Sequence, residues 1–317
     1  MDLTQPFTVD MAASAGITRR MLRSGRFRRL FRGVYLDASV EPTLHDWLRG
    51  ALLLMPADAV VSHTSAMLLY GYTPRGRAVL ELSTNTRQTT SVPGIVLHRR
   101  KWGLDGRLVH GLPVTGPDRT FVDVAVRTPL PELVAFGDHL VHRRLTTIDD
   151  LRWYADSRHL DGVRRARRYA PWVVAGAESP PESHLRLLLR FARLPSPEVN
   201  GVILDRDGGF IARGDLVYRR WKVVVEYDGI HHLRDPRQWR HDLRRRERLE
   251  AEGWIVIVVT AVDLQEPQVV PPRVHDALRQ HGYRGPAPVL STQWRAWFPP
   301  SRRATRRDVL SLGPESR

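Results

Sequence analysis

The chain has 317 residues, 42% of them hydrophobic, and 49 basic against 34 acidic side chains give a formal charge of +15. That length predicts two or three domains with ordinary packed cores, and that charge predicts a polyanionic partner, either nucleic acid or an anionic membrane surface. Cysteine is absent, which excludes disulfides, zinc–thiolate sites and thiol catalysis.

The N-terminus lacks a basic stretch followed by an apolar core, and no apolar run approaches the roughly 20 residues that span a bilayer. A cytoplasmic protein without membrane contact is therefore expected. Val9–Ala15 reads as a short apolar helix, Gly16 as a turn, and Thr18 as the cap of a second helix that runs to Ser24 and ends at Gly25. Arg19, Arg20 and Arg23 decorate the second helix, and Phe27–Leu30 and Gly33–Leu36 read as the strands of a wing. Residues 1–40 are thus expected to form a winged helix-turn-helix whose arginines contact nucleic acid. The alternative is a small basic hairpin packed on its neighbour.

Residues 41–175 read as an α/β region. Helices are expected over His45–Met55, Ala57–Leu69, Asp118–Arg127, Leu133–Val141 and Thr147–Tyr154, and strands over Val79–Ser83 and Ile95–His98. His63, Thr64 and Ser65 place hydroxyls beside an imidazole, but no third catalytic partner is in view, so capping and packing is the favoured role. Arg158–Arg168 is a basic helical stretch, whether a solvated face, a linker or a phosphate-contacting surface. A domain boundary is expected near 176, and a Pro/Arg-rich, mostly flexible tail over 285–317, with Trp294, Trp297 and Phe298 docking part of it.

The segment 176–284 opens on Ser179-Pro180-Pro181-Glu182, a capping box with proline at the first helical position. Its helix runs to Phe191 with an apolar face of Leu185, Leu188 and Leu189. Strands are expected over Glu198–Leu204, Phe210–Val217 and Lys222–Tyr227, then a charged helix over Arg237–Glu252, a buried strand over Trp254–Thr260 and a helix near Pro272–His281. Within it, Glu226 and Asp228 share one strand face and Tyr227 points the other way. Asp215 joins them if the chain makes a hairpin around Tyr218–Trp221. Turn capping and edge-strand solubility are the alternatives. Val223–Val225 argues against them, because unpaired charge at the end of a buried strand is costly. Three converging carboxylates point to a hard divalent cation.

In element order and residues, this segment resembles the PD-(D/E)XK nuclease superfamily, and within it the DUF559-type proteins that are similar to very-short-patch mismatch-repair endonucleases. The resemblance maps an acidic residue of the first helix onto Glu182 and an aspartate of the second strand onto Asp215. It maps a Glu-x-Asp-Gly-x-x-His element onto Glu226, Asp228, Gly229 and His232, and a charged helix and Gly-aromatic strand onto Asp242–Arg248 and Gly253-Trp254. It implies a restriction-endonuclease-like α/β core with a mixed sheet, holding Mg2+ or Mn2+ on Asp215 and Glu226, with Asp228 as a third carboxylate. Glu182 would orient water or serve only its capping box. His232 would be general acid or phosphate contact, and His231 is the lesser candidate; Arg244 and Arg245 either contact phosphates or belong to a solvated, salt-bridged helix face. Trp239 would pack, or stack on a base. Asp228 stands where the superfamily usually has a lysine, and Lys222, four residues before Glu226 and roughly 13 Å away at strand rise, does not replace it.

The N-terminal part resembles AbiEi-type antitoxins, on Gly16-Ile17-Thr18-Arg19-Arg20, Gly25-Arg26, Arg32-Gly33-Val34-Tyr35, Ser62-His63-Thr64-Ser65-Ala66 and Pro117-Asp118-Arg119-Thr120. That resemblance implies operator binding and control of a nucleotidyltransferase-type toxin. Two functions follow as expectations: a DNA-binding, Mg-dependent endonuclease, or an antitoxin and autoregulator whose nuclease fold is inactive.

Overall fold

The computed structural model describes residues 1–74, 79–101, 103–229 and 236–300, without the side chains of 236–241. The architecture is α/β with mixed sheets. Two compact units make it up, one of Met1–Val126 with Trp153–Ala166, the other of Arg127–Arg152 with the described part of Arg167–Ala304.

In the first unit, β1 (Phe7–Thr8) leads into α1 (Val9–Ser14), whose Met11 N–H is capped by the Thr8 hydroxyl at 3.2 Å. Gly16 turns the chain at φ 77°, and Thr18 caps α2 (Arg19–Leu22) through Met21. β2 (Phe27–Phe31) and β3 (Val34–Asp37) form the wing, which β1 extends in the order β1-β3-β2. Phe7, Ala12, Leu22 and Phe27 form the core beneath it, with Ile17 and Tyr35 packed against them. α2 stops short of the expected end at Gly25. The Arg23 and Ser24 N–H groups bond to carbonyls three residues back, a tightening that closes the helix early.

The rest of the unit holds α3 (Leu44–Leu52), β4 (Val60–Val61), α4 (His63–Leu69), β5 (Leu80–Thr84), β6 (Ile95–Arg99), β7 (Gly106–Val109), β8 (Leu112–Thr115) and α5 (Pro117–Ala125). Its five strands lie in the order β6-β5-β4-β8-β7, with β5 parallel to β6 and β4 parallel to β8. The helix expected over Ala57–Leu69 begins only at His63. Val60 and Val61 pair with β5 and β8 instead, because buried β-branched side chains fit a central strand better than a helix. The β7–β8 hairpin was not anticipated. It closes on His110 and Gly111, at φ 49° and 76°, the two left-handed residues that a tight hairpin turn requires.

α6 (Leu130–His142) belongs to the second unit, and α7 (Ile148–Ser157) and α8 (Val163–Tyr169) have residues in both ranges. The second unit continues with α9 (Pro180–Phe191), β9 (Glu198–Leu204), β10 (Phe210–Tyr218), β11 (Val223–Asp228), α10 (Pro236–Ala251), β12 (Ile255–Thr260), α11 (Val270–Gln280) and α12 (Thr292–Trp297). The order after α8 is the expected helix, three strands, helix, strand and helix. The sheet reads β12-β11-β10-β9, antiparallel through β9, β10 and β11, and parallel between β11 and β12. Leu249 of α10 packs with Ile203, Val217, Val224 and Trp254. Part of the tail docks: Trp294 is buried and its indole N–H donates to the Leu188 carbonyl at 2.9 Å.

The units divide differently from the expected boundary near 176, since α6 packs on α9. Asp138 of α6 pairs with Arg186 of α9 at 2.7 Å and accepts the Val174 N–H at 2.7 Å, and His184 meets Glu132 at 3.2 Å. Burial pushes the Asp138 carboxyl up, and the Arg186 guanidinium opposes that shift. Both groups are nearly inaccessible, so removing one leaves the other as an uncompensated buried charge. Asp138→Ala is expected to cost about 3–5 kcal/mol of stability, measured by urea unfolding, whereas substitution of the exposed Arg152 is expected to change it by less than about 0.5 kcal/mol.

Candidate functional site

β10 and β11 form the expected hairpin, in register Tyr218↔Val223, Val217↔Val224 and Leu216↔Val225. The turn needs a left-handed residue, and Lys222 supplies it at φ 46° and ψ 47°. Lys222 therefore stands outside the strand, which was expected to begin with it and begins at Val223. Its ammonium donates to the Glu252 carbonyl at 2.7 Å, satisfying the C-terminal end of α10.

Beyond Leu216↔Val225 the recorded pairing stops. There the Asp215 carboxylate accepts the Tyr227 N–H at 2.7 Å, so a side chain provides the next bond of the ladder. Gly214 makes the close approach possible, since a Cβ there would lie 2.3 Å from Val224 Cγ2. Burial pushes the Asp215 carboxyl up to about 6; the Tyr227 N–H opposes this, and the negative charges of Glu182 and Glu226 add to it. Glu226 receives Arg245 of α10 in a two-pronged pair, at 2.6 and 2.8 Å. Asp228 and Asp242 line one cleft with Glu226, Arg245 and Arg246, about 230 Å³ in volume. A larger groove of about 470 Å³ beside β12 offers one carboxylate, Asp276, too few for a hard cation.

Asp215, within β10, thus lies beside the end of β11 that carries Glu226 and Asp228. Glu182 is close enough for its charge to act on Asp215, yet it is held by local bonds. Ser179 donates its hydroxyl to one Glu182 oxygen at 2.7 Å, and Glu178 N–H and Asn200 reach the other at 3.0 and 3.3 Å. That arrangement is a helix cap. His231 and His232 lie outside the described residues, as does the side chain of Trp239. Arg244 is exposed on α10, and Arg19, Arg20 and Arg23 are exposed on and just after α2. The donor set suits a hard divalent cation. It consists of carboxylate oxygens, and burial, with the charges of Glu182 and Glu226 adding to it, keeps a proton on Asp215 to about pH 6, a cost that a cation relieves. Arg245 engages both Glu226 oxygens, so a cation would either share the remaining lone pairs with the guanidinium or displace it.

A second polar cluster, in the first unit, was missed from the sequence. His63 opens α4 at φ 50°, a strained conformation for histidine. Its ring stacks on His98 with centroids 3.8 Å apart, and His98 meets Glu81 at 3.0 Å. Glu81 also accepts the Thr64 N–H at 3.0 Å and the Thr64 hydroxyl. Ser65 bonds to Val79 and Glu81, the packing role expected for it. Burial, with the neighbouring His98, holds His63 down to about 3. Burial pushes Glu81 up, but the His98 and Thr64 hydrogen bonds outweigh it and hold the carboxyl down to about 2. The available signal was Glu81-Leu82-Ser83-Thr84, polar residues within a strand buried along its whole length.

No known family's sequence profile matches the chain. It is similar to two Mycobacterium tuberculosis proteins, Uncharacterized protein MT2308 (strain CDC 1551 / Oshkosh) and Uncharacterized protein Rv2248 (strain ATCC 25618 / H37Rv). Each is 28% identical over 255 residues, covering 78% of this chain and 92% of the relative. No helix among the described residues is long and apolar enough to cross a membrane.

The raised Asp215 value sets a sign. Between the ordinary 3.8 and about 6 the folded state binds the extra proton, so this group's contribution to stability is present below that window and lost as pH rises through it. Asp215→Asn is expected to raise the melting temperature of chelator-treated protein at pH 8, and to raise it less at pH 5, as followed by circular dichroism.

Proposed function

We propose that the second unit is a metal-dependent endonuclease domain with a restriction-endonuclease-like core, acting on DNA that the winged helix-turn-helix also binds. The observation that carries this reading is the meeting of Asp215, within β10, and Glu226, near the end of β11, beside a cleft that Asp228, Asp242, Arg245 and Arg246 line. Asp215 and Glu226 are the proposed ligands, with Asp228 as the third carboxylate. A bound Mg2+ or Mn2+ would polarise the phosphate and provide hydroxide near neutral pH.

The chain's own groups then have separable tasks. Asp215 is ionised at neutral pH, and the Tyr227 N–H fixes the orientation of its carboxylate. Arg245, once exchanged from Glu226, becomes a cation beside the phosphate, where its fork geometry suits two oxygens. Arg244 on the exposed side of α10 contributes to the same electrostatic track. His232, four residues after Asp228 in sequence, is the proposed proton donor to the leaving oxygen.

A second reading is a DNA-binding antitoxin or autoregulator, partnered by a nucleotidyltransferase-type toxin, in which the nuclease fold is inactive. It is favoured by Arg245 closing both oxygens of Glu226 and by a carboxylate, Asp228, where the resemblance has a lysine. Plasmid nicking separates the two. Wild-type protein is expected to nick supercoiled DNA with Mg2+ or Mn2+, and Asp215→Ala and Glu226→Ala to fall to background with gel-shift affinity unchanged. Cleavage that survives both substitutions removes these residues from the mechanism. A wild type without cleavage, but with binding to its own upstream DNA that is lost on Arg19/Arg20/Arg23→Ala, establishes the regulator instead. In either case each phosphate-contacting arginine removed should lower the salt slope of binding by about 1.

A further inference from the structure

We propose that His63, Glu81 and His98 form a second metal site, in the first unit, that takes a divalent transition-metal ion of the zinc class. This site is chemically unlike the all-oxygen cluster of the second unit and stands independently of it. The three side chains each turn one ligand atom inward, and those atoms lie within 4.8 Å of one another. His98 Nε2 and Glu81 Oε1 are already 3.0 Å apart, inside the roughly 3.4 Å that separates two ligands bonded at about 2.0–2.1 Å to a tetrahedral ion. Two imidazoles and a carboxylate are the ligands that borderline cations such as Zn2+ select over Mg2+.

The surroundings hold these ligands from behind. Ser62 Oγ lies 2.9 Å from His63 Nδ1 and is itself bonded to Ser83 Oγ at 2.8 Å. The Arg100 guanidinium can only donate to Nε2, so a neutral ring carries its proton on Nδ1, toward Ser62, and Nε2 has the lone pair that would bind. Thr64 holds the Oε2 atom of Glu81 through its N–H and hydroxyl, which leaves Oε1 turned to His98. Such outer bonds fix tautomer and orientation in built metal sites. The strained backbone of His63 fits this reading, since a residue is held at φ 50° only where its surroundings over-determine it. His98 keeps 17% of its side chain exposed and Glu81 10%, so an ion has a way in.

Arg100 is the apparent obstacle. Its guanidinium points at His63 Nε2 from 2.7 Å, and a neighbouring cation opposes a metal. Yet Arg100 has two other carboxylates within reach, Asp123 at 3.4 Å and Asp161 at 3.3 Å. Asp123 Oδ1 is buried with no hydrogen-bond partner, and so is Arg100 Nε. Buried orphans of this kind mark a missing component or an unused arrangement. Swinging Arg100 from His63 onto Asp123 supplies the orphan oxygen with a donor and frees the Nε2 lone pair. The charges agree: Glu81, Asp123 and Asp161 are three carboxylates against the two guanidiniums of Arg100 and Arg119, which donates to Asp123 at 2.9 Å. With neutral histidines the network carries one negative charge in excess.

The test uses the full chain, stripped with chelator, loaded with Zn2+, desalted by gel filtration and assayed for metal by mass spectrometry. One zinc per chain is expected, and it should persist in Asp215→Asn. Glu81→Gln and His98→Asn should each lose it. Ser62→Ala should weaken it about 10–100-fold, and Arg100→Met should tighten it. With Co2+ in place of Zn2+, wild type should show visible d–d absorption that His98→Asn lacks. His98 is partly exposed, so His98→Asn keeps the test valid if Glu81→Gln fails to fold, with circular dichroism as the check. A chain that retains no zinc, or that holds the same amount in both ligand variants, overturns the site. Weaker zinc binding in Arg100→Met overturns the exchange with arginine.

Discussion

At Leu216↔Val225 the β10–β11 ladder stops, and the Asp215 carboxylate takes over the next N–H, that of Tyr227. That exchange of a backbone acceptor for a side chain holds Asp215 beside the end of β11, where Glu226 and Asp228 stand. It requires a register set by the turn at the left-handed Lys222, because a slip of one residue would move every side chain to the other face. It also requires Gly214, since any larger residue would collide with Val224. Tyr227 gains a partner by this arrangement, and Asp215 is fixed by a bond that no conformational search at the surface would retain.

Burying charge in this way demands counter-charge, and the chain supplies it with arginine throughout. Arg186 answers Asp138, Arg245 answers Glu226, and Arg100 and Arg119 answer Asp123. A guanidinium is weakly hydrated and meets a carboxylate on two parallel bonds, so it loses less on burial than an ammonium does. The near-absence of lysine in the sequence therefore has a structural counterpart. Lys222 fits the same logic, because its ammonium works at an exposed helix end rather than inside a cluster.

Local chemistry was legible in the sequence where it acts over a few residues. Thr18, Ser179 and Gly16 announce caps and a turn that the structure contains, and the strands of the second sheet lie close to the expected ranges. Long-range pairing was not legible. Val60-Val61 looked helical because its flanks are, and only β5 and β8 make it a strand. The β7–β8 hairpin did leave a sign in His110-Gly111, but proline at 113 masked the second strand. Arg245 and Glu226 are 19 residues apart, and nothing in spacing alone joins them. His63, Glu81 and His98 meet because β5 and β6 run parallel with Ser83 opposite His98, which brings Glu81 within reach of the ring.

The two-pronged Arg245–Glu226 pair bears on how the second unit comes to exist at all. Many small metal sites assemble only when the ion arrives, since their ligands repel one another without it. Here the guanidinium supplies the opposite charge from within the chain, so the carboxylates can be gathered while the polypeptide is still alone. On the metal-dependent reading, loading would be an exchange of one positive group for another, and the unit could reach its shape before any ion is bound.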